Sequence, residues 1–422
     1  MRCALLLTLL PLGALAQAPV IAISGANFRP LPLAVAAPLT VDPGARTHSA
    51  AFDEALVFDL GASGLFQMLE RAGYLADASE GFAASSINFQ RWVDVGAESL
   101  VKVQLSSAGS ELRGELRLFG VGTGREELKV TQTASSSEPR RLAHALADAV
   151  YKHFTRETGP FQTRITYVRQ SGKDKDVYVA DWDGRGSRAV TSGGINLLPA
   201  LGTDGRVAFT SFKTNRPDIY VWNGSATKPV VQTGSMATGV AFSPDGTRIA
   251  YALSQGESSQ IWVANSDGSG AKQITDTRFG INSSPAWAPD GKRLAFVSNR
   301  GGSPQIYVMA ASGANPKRVT FQGNYNQTPD WSPRGDLIAF TARDERNAFD
   351  VFTVNPDTGK VTRLTQDQGN NEEPVFSPNG RLLLFTSTRK GGAALHVMTA
   401  DGNNAVALPM ERGTFLQPDW SR

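Results

Sequence analysis

Histidine and acidic side chains are the residues of this sequence that could bind a metal ion or transfer protons. The four histidines lack the short separations of a metal site; they are His48, His144, His153 and His396. The acidic segments Asp181–Gly184 and Ser266–Gly268 have the composition of calcium loops, but each lacks the distal glutamate that completes such a loop. We therefore interpret both segments as hairpin turns and predict no bound metal.

The glycine-rich segment Gly120–Gly124 has the composition of a phosphate-binding loop but not its spacing. It lies between two strand-like runs rather than before a helix, which is typical of a hairpin turn. The motifs G-x-S-x-G and H-E-x-x-H and the P-loop are also absent from the sequence. We therefore predict a protein with no cofactor and no catalytic activity.

A polar Asn-x-x-Pro pattern precedes four of the β-rich runs in the second half of the chain, and its variable centre is a candidate binding surface. The copies at Ala237–Val240 and Phe415–Pro418 depart from it. If the runs are symmetric repeats, these loops share one face, and we place the glycine-rich hairpins such as Asn299–Gly302 on the opposite face. Alternatively, the asparagine and proline only fix a recurrent turn. The predicted binding residues are Asn196, Met236, Ser283, Ser284, Asn326, Gln327, Thr328, Asn371, Glu372 and Glu373.

The elements that must position these loops repeat with a fixed period. A five-residue turn motif recurs at spacings of 41, 45, 44, 45 and 44 residues. A period in this range, carried by short β-branched and aromatic runs, is typical of a β-propeller with one four-stranded blade per repeat. The copies are Leu201–Gly205, Phe242–Gly246, Trp287–Gly291, Trp331–Gly335, Phe376–Gly380 and the truncated Trp420–Arg422.

The two ends of the repeat region predict how the ring closes. An Ile-Tyr-Val-like strand occurs six times, and in the last copy His396 takes the tyrosine position, so we interpret it as structural. The region begins at Arg164–Val168, which matches the second strand of a blade, and ends at Pro418–Ser421, which matches the first. We predict six blades, with the C-terminal strand completing the last one and removing the open edges.

Composition and the first residues indicate an exported protein. The chain has 422 residues and a net charge of +3 with both signs interleaved, which does not indicate a nucleic-acid partner. Residues 1–16 match a secretory leader that contains Cys3 and ends in the cleavage pattern Ala14–Ala16. Its apolar run is too short to span a membrane. We predict a periplasmic monomer that is cleaved after Ala16, carries no thiol and does not span the membrane.

Residues 17–160 lack the period and predict a small α/β domain, and residues 161–422 predict the propeller. Apolar residues at helical spacing predict helices around Phe52–Leu60 and Leu142–Phe154, and we interpret Gly159-Pro160 as a hinge between the domains. The fold class is therefore mainly β, with a six-bladed propeller after a small α/β domain. Alternating runs predict strands at Leu100–Leu105, Leu112–Phe119 and Leu128–Thr133.

Taken together, these motifs resemble the TolB family, the periplasmic component of the Tol–Pal envelope system. The resemblance includes the propeller repeat, Asp59–Phe66, which is similar to the family's Asp-Leu-x-x-Ser-Gly-x-Phe, and Phe161–Val168 at the domain junction. It implies a non-catalytic adaptor that links an inner-membrane complex to the outer membrane and supports envelope integrity and outer-membrane constriction at cell division. It also implies that Pal, a peptidoglycan-associated lipoprotein, binds one propeller face, and that TolA binds the first mature residues.

The sequence departs from the family pattern in two places. The segment Gln17–Ala26 lacks the acidic residues associated with the family, and Met236 stands where a histidine is expected. In that segment Val20, Ile21 and Ile23 supply strand-forming side chains, which predicts a docking strand for a TolA-like protein. Alternatively, the segment is the first strand of the N-terminal sheet.

The alternative function is an exported propeller hydrolase or a carbohydrate-binding protein. The sequence ends on a blade strand at Trp420 rather than in a catalytic domain. This ending favours the adaptor over the hydrolase.

Overall fold

The computed structural model describes residues 29–77, 79–277 and 280–421 of the chain. The predicted leader and the predicted docking residues Val20, Ile21 and Ile23 lie outside the described residues.

The N-terminal region is a mixed six-stranded sheet with helices packed against it. The strand β1 pairs in parallel with β3 and β4, and β4, β5 and β6 continue as an antiparallel meander. The strand β2 also pairs in parallel with β4. The bounds of these strands are β1 Leu31–Val35, β2 Leu39–Thr40, β3 Phe66–Met68, β4 Ser99–Ala108, β5 Glu111–Gly120 and β6 Arg125–Ser135.

Three α-helices belong to this region: α1 (Pro43–Ala62), α2 (Phe89–Asp94) and α3 (Pro139–Thr155). Helix α1 begins well before the predicted start near Phe52, because Asp42 caps it by accepting a hydrogen bond from the Ala45 N–H at 2.8 Å. A proline at the first helical position, Pro43, suits this start since it needs no hydrogen-bond acceptor there. The predicted α/β domain is therefore confirmed.

The C-terminal region contains six antiparallel sheets of four strands, which are the predicted six blades. The strands of each blade are given below in order from the central channel outward. Blade one is β10 Asn196–Leu201, β11 Val207–Ser211, β12 Asp218–Trp222 and β13 Thr227–Val231; blade two is β14 Met236–Phe242, β15 Arg248–Gln255, β16 Ser258–Asn265 and β17 Lys272–Gln273; blade three is β18 Asn282–Trp287, β19 Arg293–Ser298, β20 Gln305–Ala310 and β21 Lys317–Arg318; blade four is β22 Asn326–Trp331, β23 Ile338–Arg343, β24 Phe349–Val354 and β25 Val361–Arg363; blade five is β26 Asn371–Phe376, β27 Leu382–Ser387, β28 Ala394–Thr399 and β29 Val406–Ala407; blade six is β30 Thr414–Trp420, β7 Arg164–Ser171, β8 Asp174–Asp181 and β9 Arg188–Ala189.

The sixth blade joins the two ends of the repeat region, as predicted. Strand β30 is its innermost strand and pairs with β7, which opens the propeller. The last tryptophan, Trp420, is 1% exposed, stacks on Trp182 at 6.0 Å between ring centroids and donates its indole N–H to Thr163 Oγ1 at 2.7 Å. The C-terminal strand is therefore fixed by both backbone pairing and a buried aromatic ring.

One hydrophobic core crosses the boundary between the two regions. Phe52 and Phe154 of the helices pack in the same cluster as Phe161 and Trp182 of the propeller side. The segment Gly159-Pro160, predicted to be a hinge, is closely packed, because a Cβ atom on Gly159 would lie 2.2 Å from Asp148 Oδ1. The hinge prediction is therefore corrected: the junction is fixed against α3.

Replacing Trp420 with alanine is expected to lower the free energy of unfolding by about 3–5 kcal/mol, because it removes a large buried ring and its hydrogen bond. Thermal or urea unfolding measures the change. The matched control is Phe321→Ala, since Phe321 is 69% exposed, and its unfolding should stay close to that of the unchanged chain. Equal melting temperatures for Trp420→Ala and the unchanged chain would contradict closure by the last strand.

Candidate functional site

The two faces of the propeller differ in what covers them. The N-terminal domain packs on the face formed by the turns between first and second strands and between third and fourth strands. There Asn379 Nδ2 donates to the Thr158 carbonyl at 3.1 Å, and Asn404 Nδ2 donates to the Gly61 carbonyl at 2.8 Å. We call this the covered face. The opposite side, which carries the Asn-x-x-Pro segments, is the open face.

The glycine-rich hairpins lie on the open face, so their predicted placement on the opposite side was wrong. Asn282 at the start of β18 pairs with Ser298 at the end of β19, directly before the hairpin Asn299–Gly302. The Ile281 N–H also donates to Asn299 Oδ1 at 2.8 Å. Antiparallel pairing places the start of one strand beside the end of the next, so both loops border the same face.

The asparagines of the repeated pattern are structural residues. Each Nδ2 donates to an aspartate or glutamine that begins the third strand of the preceding blade, and that side chain also accepts a hydrogen bond from a threonine that follows the blade's last strand. We call this arrangement the inter-blade clip. The four clips are Asn196–Asp176–Thr191, Asn282–Gln260–Thr275, Asn326–Gln305–Thr320 and Asn371–Asp350–Thr365, with Nδ2 to oxygen distances of 3.3, 3.0, 2.8 and 3.1 Å.

The inter-blade clip corrects part of the predicted binding set. Asn196, Asn326 and Asn371 are 4%, 1% and 0% exposed, and their amide groups are engaged inside the propeller. A partner on the open face therefore meets the residues around them rather than their side chains. The alternative that asparagine fixes a recurrent structural feature is the one that the geometry supports.

The second variable residue of each pattern lines the central channel. Ser284, Thr328 and Glu373 have left-handed backbones, with φ of 49°, 48° and 58°, at a bulge in the inner strand. The equivalent residues Leu198, Gly239 and Gln417 have φ of 51°, 65° and 52°. All six border a cavity of about 170 Å³.

Glu373 is tied into the channel wall. Its Oε2 accepts hydrogen bonds from the Gln417 N–H at 2.7 Å and from Thr386 Oγ1 at 3.1 Å. Burial nevertheless raises the pKa of Glu373, and burial together with the Glu373 charge raises the pKa of Glu372. Ser283, Gln327 and Glu372 are partly exposed, as are the channel residues Ser284 and Thr328, so all five remain candidates for contact with a partner.

The open face carries exposed apolar side chains that the sequence analysis found only in part. Met236, a predicted binding residue, is 50% exposed, and Ile195 and Ile281 are 44% and 49% exposed at the equivalent position in blades one and three. Phe321, on the loop before blade four, is 69% exposed. Ile195 and Ile281 were not predicted, although each stands directly before a buried asparagine of the repeated pattern, and that position was the available signal. We call these four residues the apolar arc.

A buried polar cluster joins the domains on the covered side. His144 of α3 is 3% exposed, and its Nδ1 lies 2.7 Å from Asp59 Oδ2, whose other oxygen accepts the Trp182 indole N–H at 3.0 Å. The second histidine nitrogen lies 3.6 Å from Asp183 Oδ2. Arg140 and Arg185 surround the cluster by pairing with Asp183 and Glu54. This cluster was not predicted from the sequence.

The cluster also explains the motif Asp59–Phe66. Asp59 anchors Trp182 across the domain boundary, and Ser63 Oγ accepts from the Leu65 N–H at 3.1 Å in the turn that ends α1. Gly64 has φ of 72°, and a Cβ atom there would lie 2.2 Å from Thr399 Cγ2 of blade five. The motif therefore shapes the contact between the domains.

His396 is buried beside Phe385 with ring centroids 5.9 Å apart, as predicted for a blade-packing position. The described residues contain no group of three or more His, Cys, Asp or Glu arranged to hold a metal ion. Among the described helices none is long and apolar enough to cross a membrane.

A six-bladed propeller with one face covered by an α/β domain and the other open defines a class of two-domain propeller proteins that present loops for binding. The sequence profile of the TolB amino-terminal domain matches residues 19–127, and that of the TolB beta propeller domain matches residues 151–422. The chain belongs to the TolB family, and it is a periplasmic component of the Tol–Pal system.

Similar proteins agree over the full length. A Tol-Pal system protein TolB of Myxococcus xanthus is 67% identical over 418 residues, covering 99% of this chain and 97% of the relative. One from Anaeromyxobacter dehalogenans is 45% identical over 423 residues, covering 99% and 96%. The crystal structure of TolB from Acinetobacter baumannii matches with a TM-score of 0.79 at 26% identity and covers 93% of this chain and 97% of that one.

The buried cluster makes the stability depend on pH. Burial raises the pKa of Asp59 to about 7. Burial alone would lower the pKa of His144, but the Asp59 and Asp183 carboxylates outweigh it and raise this pKa. Both groups therefore bind protons more tightly in the folded chain than in the unfolded chain, so stability is greatest below the unfolded pKa values and falls as pH rises through neutrality.

Asp59→Asn is expected to flatten this dependence, because it removes one titrating group and the strongest attraction on His144. The melting temperature of the unchanged chain should fall more steeply between about pH 4.5 and about pH 8 than that of the variant. Asp94→Asn, at an exposed position, serves as the control and should keep the original slope. Parallel slopes for Asp59→Asn and the unchanged chain would contradict the assignment of the pH dependence to this cluster.

Proposed function

We propose that the protein is a non-catalytic periplasmic adaptor that links an inner-membrane complex to an outer-membrane peptidoglycan-associated lipoprotein. In this role it supports envelope integrity and outer-membrane constriction at cell division. The observation that carries the proposal is the apolar arc on the open face. Exposed apolar residues grouped on a rigid surface mark protein-binding sites, and here the N-terminal domain leaves that surface free.

The lipoprotein's soluble domain is the proposed occupant of the open face. Met236 and Ile281 would supply apolar contacts, and Ser283, Gln327 and Glu372 would supply polar contacts around the channel mouth. The rigid inner strands hold these residues in fixed positions, because the inter-blade clips join neighbouring blades. A preformed surface of this kind reduces the entropic cost of binding.

The second proposed contact is the segment Gln17–Ala26, which would bind a TolA-like protein through Val20, Ile21 and Ile23. A terminal strand can pair with the edge of a partner's sheet. The shared core connects the described part of the N-terminal domain to the propeller. Binding at one end could therefore shift the equilibrium at the other.

We further infer cleavage after Ala16, domains at 17–160 and 161–422, and a monomeric state. The domain limits are supported by the end of α3 at Thr155 and the start of β7 at Arg164.

A hydrolase with a Ser-His-Asp triad would need a histidine that pairs with a carboxylate and is accessible to the substrate. His144, which pairs with a carboxylate, is 3% exposed, and its second nitrogen faces Asp183. A general base must reach the proton that it abstracts from the substrate, and this geometry favours a structural role for His144. The adaptor therefore remains the proposal.

Placing a charge in the apolar arc is expected to weaken binding of the lipoprotein's soluble domain. Met236→Asp and Ile281→Asp should each raise the Kd at least about tenfold, because each would bury an unpaired carboxylate in the interface. Isothermal titration calorimetry measures the Kd. The matched control is Val93→Asp, at a residue 45% exposed on α2, and it should leave the Kd unchanged. Loss of binding in the control alone would place the interface on the N-terminal domain.

Deleting Gln17–Ala26 from the mature chain is expected to abolish binding of a TolA-like protein, since the deletion removes the proposed docking strand. Lipoprotein binding and the melting temperature should stay close to those of the full mature chain. Surface-immobilised capture of each partner and a thermal melt measure the three quantities. A large loss of stability, together with loss of binding to both partners, would show that the segment is a structural strand.

A further inference from the structure

Three inter-blade clips use the asparagine carbonyl oxygen as well as the amide. In blade one, Asn196 Oδ1 accepts from Ser211 Oγ at 2.7 Å. In blade three, Asn282 Oδ1 accepts from Arg300 Nη2 at 3.0 Å. In blade five, the oxygen of Asn371 accepts both from Ser387 Oγ at 2.8 Å and from Arg389 Nη2 at 2.9 Å.

The two arginines adopt the same pose in their blades. The Arg300 guanidinium lies 5.3 Å from the Phe296 ring centroid, and that of Arg389 lies 5.3 Å from the Phe385 centroid. Each arginine therefore covers the aromatic ring of its second strand and donates to the buried asparagine. Planar guanidinium groups suit both contacts, because they stack on rings and donate in a fixed direction.

Blade four has the same asparagine but neither donor. Asn326 is 1% exposed, and its Oδ1 has no hydrogen-bond partner among the described residues. Its Nδ2 donates to Gln305 Oε1 at 2.8 Å and to the Gln322 carbonyl at 3.0 Å, which fixes the orientation of the amide. At the serine and arginine positions of blade five, blade four carries Ala342 and Asp344.

A pocket of about 490 Å³ on the open face is lined in part by Asn326. Phe340 and Phe352 form its apolar wall, and Asn326, Asp344 and Glu345 contribute acceptor groups. The Asp344 side chain is 0% exposed, but hydrogen bonds from Arg346 hold its pKa below the usual range, so it remains charged. The pocket thus combines an aromatic wall with an unsatisfied acceptor, and its carboxylates Asp344 and Glu345 are paired with Arg363.

Two arginines, Arg343 and Arg363, also line the pocket, and Arg363 lies 5.7 Å from the Phe352 ring centroid. Arg363 pairs with Asp350 at 2.5 Å and with Asp344 at 3.0 Å. Arg346 also pairs with Asp344 at 3.0 Å. The guanidinium of Arg343 lies over the rings of Tyr325 and Phe349, at 4.7 and 5.2 Å from their centroids. None of the described residues donates a hydrogen bond to Asn326 Oδ1.

We propose that the blade-four pocket binds an arginine side chain of a protein partner docked on the open face, with the guanidinium over Phe340 and donating to Asn326 Oδ1. The chain itself shows this pose twice, in blades three and five. The inference rests on the proposed function for the presence of a docked partner, and it adds a specific anchor residue of that partner. An unsatisfied buried acceptor favours a ligand that supplies its missing donor.

The first experiment needs no partner. N-acetyl-arginine amide is titrated into the isotope-labelled mature chain while the side-chain amide signal of Asn326 is followed by NMR. The signal should shift and saturate in the millimolar range, and the uncharged citrulline analogue should bind at least about tenfold more weakly. An absent shift, or an equal response to citrulline, overturns the proposal.

Two variants fill the pocket from within. Asp344→Arg introduces the arginine that blades three and five carry at this position. Ala342→Ser introduces the serine donor and adds only one oxygen atom to the side chain. Asp344→Arg should abolish the response to the arginine probe. Ala342→Ser should weaken this response severalfold, and it tests the same oxygen if Asp344→Arg folds poorly. An unchanged response in the folded variants overturns the proposal.

The partner experiment separates this inference from the proposed function. If the unchanged chain binds the lipoprotein's soluble domain, Asp344→Arg should raise the Kd at least about tenfold, whereas Lys213→Arg at the equivalent position of blade one should not. Unchanged affinity in Asp344→Arg overturns the arginine anchor and leaves the proposed function standing. Failure of the unchanged chain to bind the lipoprotein contradicts the proposed function, while the probe titration still decides whether the pocket takes arginine.

Discussion

The inter-blade clip is the interaction on which the propeller's geometry depends. Each blade is a separate sheet, and in the described part of the chain neighbouring sheets are joined by only isolated bridges, Lys175 to Ile195 and Ser259 to Ile281. Apolar packing between blades is non-directional, whereas the clip joins a fixed donor to a fixed acceptor across each boundary where it occurs. At the Asn371 boundary, for example, the amide, the Asp350 carboxylate and the Thr365 hydroxyl satisfy one another in a buried position. Buried polar groups that are fully satisfied specify one arrangement of the parts.

Two blade boundaries lack the asparagine, and an apolar residue replaces it at both. Ala237 takes its place in blade two and Phe415 in blade six. Phe415 is 4% exposed and packs edge-on against Tyr167 at 5.5 Å, so packing replaces the polar contact where the ring closes. The same strand positions therefore carry either a clip or an apolar contact, and the residues just outside them are free to vary on the open face.

The fold was predictable from the sequence because the period and the turn chemistry repeat. The blade number followed from matching Arg164–Val168 with Pro418–Ser421. Strand β1 was missed because Pro32 interrupts the short apolar run Leu31–Val35. The binding surface was predicted less well. Sequence position cannot tell which side of a strand a polar residue faces, so Asn326 and Asn371 were included among the binding residues. The pairing of Asp59 with His144 was hidden because 85 positions separate the two residues.

The closure of blade six has a consequence for when the propeller can form. Arg164 and Ser421 meet in one blade although they lie 257 positions apart. Contacts between distant segments are slow to form, because the intervening chain must first be ordered. A chain that emerges from a membrane with its N-terminus first cannot complete the ring until its final strand has emerged. Pairing of β30 with β7 is therefore the contact that closes the ring, and it joins segments that the whole propeller separates along the chain.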